Sequence, residues 1–72
     1  MNEYARHQKR IEILCRWILD AKTPQAAVGR YESARESAAA TPGDLRRLRI
    51  AKQLALTAIA HEAIFVAGSH KD

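Results

Sequence analysis

Aromatic side chains, glycine, proline and cysteine are all scarce in this chain of 72 residues. It has one Trp, two Tyr, one Phe, three Gly, two Pro and a single cysteine, Cys15. A lone cysteine excludes an internal disulfide, and with it the small secreted scaffold that disulfides hold together. Few glycines and no Gly-rich loop leave no phosphate cradle of the nucleotide-binding kind. Few β-branched runs and few turn residues argue against a sheet. The first ten residues, MNEYARHQKR, lack the apolar stretch of a signal peptide. A reducing, cytoplasmic setting is the expectation.

What remains is alanine, leucine, isoleucine and charge, a helix-forming composition. Net charge is +4, with arginine and lysine clustered. That bias suits an acidic protein surface or nucleic acid. The chain suffices for one domain. At this size a folded chain buries only about 60% of the surface its unfolded form exposes, so a solitary core is marginal.

Both prolines follow a threonine, at Thr23-Pro24 and Thr41-Pro42. The threonine hydroxyl accepts from the first helical turn, and Pro occupies the position whose N–H would be unpaired anyway. Asp44 adds an acid at the third helical position, close to a capping box. The residue before each Pro is pushed out of helical geometry, and Gly68 suits a left-handed cap. The punctuation predicts an all-α protomer of three helices, about 3–22, 24–40 and 42–67, with a frayed tail at 69–72.

Helix 1 carries a core stripe of Tyr4, Ile11, Leu14, Cys15 and Ile18 at helical spacing, widened by Ile13, Trp17, Leu19 and Ala21. Glu12 and Arg16 form an i,i+4 pair. Helix 2 has a thin stripe of Ala27, Tyr31, Ala34 and Ala38, edged by Val28 and weakened by Gly29. Helix 3 opens amphipathic, with Leu45, Leu48 and Ala55 on one side. It then becomes apolar nearly all round, with 11 of the 14 residues at 54–67 apolar. Run antiparallel to helix 2, the longer helix 3 projects about 14 Å past it. One thin layer does not cover that end, so the expectation is a helical homodimer joined through Trp17, Leu54, Leu56, Ile59, Ile64, Phe65 and Val66. The run is too short, and His61 and Glu62 too polar, for a membrane span.

Catalytic signals are weak. His61-Glu62 begins like a zinc-protease motif, but the second histidine a turn later is replaced by Phe65. His61 reads as an interface histidine, and Glu62 continues the small-residue stripe of Ala51, Ala55 and Ala58. His7 has only Glu3 at helical spacing, a surface pair, and Cys15 reads as buried packing. No catalytic, cofactor or metal site is predicted. The basic clusters carry the functional expectation: Arg46, Arg47, Arg49 and Lys52 on helix 3, supported by Arg6 and Arg10. They suit a non-enzymatic regulator or inhibitor that masks a partner with an acidic surface, a build shared by small phage and mobile-element proteins. The alternative is a DNA- or RNA-binding regulator with the same cations on phosphates.

Overall fold

The computed structural model describes residues 2–69, with side chains as far as Ala63. Its elements are α1 (Glu3–Leu19), α2 (Pro24–Ala38) and α3 (Pro42–Ser69). The all-α, three-helix expectation holds. The two Thr-Pro starts have the predicted chemistry. Thr23 is extended and its hydroxyl accepts from Ala26 N at 3.1 Å. Thr41 Oγ1 accepts from Asp44 N at 3.1 Å, while the Asp44 carboxylate accepts from Thr41 N at 3.2 Å. That reciprocal pair is the capping box. Asn2 caps α1 through Tyr4 N at 2.9 Å.

The helix ends differ from expectation. α1 stops at Leu19 rather than 22, with Asp20 as C-cap and Ala21 N donating to Ile18 O at 3.1 Å. α2 stops at Ala38 rather than 40. Antiparallel neighbours need a few non-helical residues to reverse the chain, more than the one residue that a following proline constrains. α3 runs through Gly68 to Ser69, beyond the expected 67, and no glycine among the described residues has a positive φ. A C-terminal glycine permits a left-handed cap but does not impose one. Ser69 therefore belongs to α3, and residues 70–72 of the expected tail lie outside the described residues.

α1 and α3 run parallel and in step, as His7 meets Asp44 and Gln8 meets Arg47 near their starts. α2 runs antiparallel between their ends. The core is one layer of Ile11, Ile18, Leu48 and Tyr31, interleaved with Ala27, Ala34, Ala51 and Ala55. Helix-1 residues expected in the core separate by depth. Ile11 and Ile18 are fully buried, Leu14 and Cys15 are half-buried, and Tyr4 is 70% exposed. Tyr4 sits in the first turn of α1, ahead of the level at which α3 begins to cover it.

Gly29 lies on the exposed side of α2, and a Cβ built there meets nothing within 4 Å. Gly29→Ala is expected to stabilise the fold by about 0.5–1 kcal/mol, since it removes unfolded-chain entropy without a clash. Chemical denaturation checks this. An unchanged or lowered midpoint would contradict the packing described for α2.

The molecule is long. Its extents are 57 × 20 × 15 Å and its radius of gyration is 14.7 Å, against about 11 Å for a compact chain of this length. α3 is the cause. Ala55 is its last buried residue, Leu56 and Ile59 are half-buried, and Thr57, Ala58 and Ala60 to Ala63 are exposed. The projection of α3 beyond its neighbours is thus present in the folded protomer.

Candidate interaction surfaces

Parallel packing of α1 on α3 gathers basic residues that lie about 40 positions apart in the chain. Arg6, Lys9 and Arg10 on α1 and Arg46, Arg47 and Arg49 on α3 all sit on the first turns of these two helices, at one end of the molecule, and all are exposed. The ion pairs among the described residues are His7–Asp44, Arg16–Glu12 and Arg35–Glu32. None of the six cations takes part. Arg47 Nη1 donates to the Gln8 side chain. Glu3 and Glu36 are exposed carboxylates on the helix turns at the same end. Lys52 departs from the group, its Nζ lying 4.5 Å above the Tyr31 ring on the α2 side of α3.

Three concavities border these residues. Arg6, Lys9 and Arg10 rim an apolar trough of about 520 Å³ floored by Ala5, Ile13 and Leu14. Arg46 and Arg47 border a cleft of about 470 Å³ with Tyr4, His7 and Gly43. Further along, Cys15, Leu19, Ile50 and Leu54 line an apolar groove of about 240 Å³ between α1 and α3, with Arg47 at its edge. Leu19 is 46% exposed, Ile50 51% and Leu54 55%.

Among the described residues, those expected at a self-association face lie on different sides of the bundle. Leu54 lies in the α1–α3 groove, while Leu56 and Ile59 pack against the core. Trp17 faces α2, where the Arg30 guanidinium stands 5.3 Å from its ring and Nη1 donates to Trp17 O at 2.7 Å. The side chains of Ile64, Phe65 and Val66 lie outside the described residues. Leu19, placed by sequence on a flank of helix 1, and Ile50 prove to be groove residues. Their signal was i,i+4 spacing with Cys15 and Leu54.

His7 requires a correction. Its partner is Asp44, 37 residues away, rather than Glu3. Nε2 donates to Oδ2 at 2.7 Å, and the same oxygen accepts from Ala40 N at 3.0 Å. Asp44 is 3% exposed, and these partners, the Ala40 N–H first and His7 next, hold its carboxyl below the ordinary 3.8. A lowered folded-state pKa gives stability that is present above the ordinary carboxylate range and lost as pH falls through the folded value. Asp44→Asn is expected to lower stability at neutral pH and to flatten its loss in acid. Urea midpoints measured from neutral into strongly acidic pH check this. Parallel curves for the two proteins would contradict it.

Cys15 is half-buried rather than buried. Its thiol points at Arg47 O at 3.7 Å, and burial pushes its pKa up while Arg47 pulls the other way. Such a thiol stays protonated at neutral pH. Among the described residues, no three His, Cys, Asp or Glu side chains are grouped to hold a metal ion, and no helix is long and apolar enough to cross a membrane. No protein-family model, curated protein or solved structure matches the chain.

Proposed function

We propose that this chain is a non-enzymatic regulator or inhibitor that works as a helical homodimer and masks a partner protein bearing an acidic surface. The observation that carries this reading is the basic end: six exposed cations on two helices held in step, with no ion-pair partner among the described residues. The trough beside Arg6, Lys9 and Arg10 adds an apolar floor to a cationic rim. This combination accepts an amphipathic acidic segment, with apolar anchors for affinity and charge for orientation. Self-association is supported by the uncovered groove and the projecting α3.

Capture from nuclease-treated lysate at stepped salt concentrations tests it. The wild type is expected to retain an acidic protein that Arg46→Glu/Arg49→Glu loses by at least tenfold, while both fold alike by circular dichroism. Equal capture by the two would contradict the reading. The same cations also suit phosphates, the second reading. Nucleic acid bound with an affinity that falls log-linearly and steeply with salt would replace the first with it.

A further inference from the structure

We infer that a second copy of this chain docks antiparallel across the α1–α3 groove, the projecting end of each α3 seated against Leu19, Ile50 and Leu54 of the other. The pairing presupposes the self-association proposed above and adds its direction and its seat.

Area favours a second copy as the occupant. The protomer exposes 5494 Å², whereas a monomer of 8.1 kDa is expected to expose about 4,500 Å². The surplus, about 1,000 Å², compares with the roughly 800 Å² that each partner contributes to a stable interface. Two uncovered features lie on the protomer's surface, a groove near the middle of the bundle and a helix end beyond it. A two-fold axis lets each copy supply the end that the other's groove lacks, because residue i meets j wherever j meets i.

Charge favours the direction. Between Asp44 and Glu62, α3 carries Arg46, Arg47, Arg49 and Lys52 and no carboxylate. A parallel pair would set these clusters side by side. An antiparallel pair separates them, opposes the helix dipoles and brings the basic half of one α3 towards Glu62 of the other. The α1-facing flank of α3 continues from Ile50 and Leu54 to His61 at helical spacing, all exposed. Thr57 and Ala58, small and exposed, lie at the middle of that stretch, where two helices can approach closely. A crossing near Thr57 puts residue 61 of one copy level with 53 of the other, within the groove.

Cys15 makes the arrangement testable, since it lines the groove. It lies level with Arg47, so within one chain it is about 21 Å along the axis from position 61, too far for a short bismaleimide. His61→Cys protein, checked for helix content, is treated with that reagent and the cross-links are mapped by mass spectrometry, with sedimentation run on untreated protein. A dimer giving a Cys15-to-61 link between chains is the expected result. A dimer linked only 61-to-61 would overturn the antiparallel seat and leave self-association standing. Sedimentation as a monomer at all concentrations would overturn both.

Discussion

Leu48→Ala is expected to cost about 2–5 kcal/mol, the largest loss from any single truncation in this fold. Leu48 has no exposed surface and sits where all three helices meet, packed with Ile18 and Tyr31. The rest of its surroundings are Ala27, Ala34, Ala51 and Ala55. Alanines have no rotamers with which to fill a cavity, so the site relaxes little and the cost falls in the upper part of the range. A chain of this length has a total stability of about 4–11 kcal/mol. The variant therefore forfeits a large part of it, seen as a fall in melting temperature of at least about 10 °C. Leu45→Ala, at a half-buried position, should lose less. Equal losses at the two positions would mean that the core is centred elsewhere.

Leu54→Asp is expected to act on assembly rather than on the fold. Leu54 is 55% exposed in the protomer, so a carboxylate there stays hydrated and helix content is retained. At the proposed interface the same carboxylate would be pressed among the apolar side chains of Leu19 and Ile50, at the cost of its hydration. Self-association should weaken by at least about 100-fold, equivalent to about 2.7 kcal/mol. Melting temperature, which rises with protein concentration when folding and association are linked, should become independent of it in the variant. An unchanged mass for Leu54→Asp would remove the α1–α3 groove from the interface.

Most of the architecture is legible in local sequence because it is locally determined. Thr23-Pro24 and Thr41-Pro42 set two helix starts through hydroxyls and a proline ring, acting within three residues. The stripe of Ala27, Tyr31 and Ala34 identifies the buried side of α2 because helical period alone decides it. Helix ends are less legible, since where α1 stops depends on how the chain turns to meet α2. The candidate surfaces are legible as residue types but not as places. The His7–Asp44 contact spans 37 residues, and its existence fixes α1 in step with α3. Only that registration brings Arg6 and Arg10 to the end that holds Arg46, Arg47 and Arg49. It also leaves Lys52 over Tyr31 and apart from them, and makes a groove of Leu19, Ile50 and Leu54. Trp17, the largest apolar side chain and a natural choice for an interface, is 40% exposed and meets Arg30 across the α1–α2 seam.

The central claim is that the uncovered apolar side of this protomer is an interface between copies of the chain. Light scattering on the eluting wild-type protein, over a dilution series, tests it most directly. The account predicts a mass of 16.2 kDa, twice 8.1 kDa, giving way to the protomer mass only on dilution. A mass of 8.1 kDa at every concentration would contradict it.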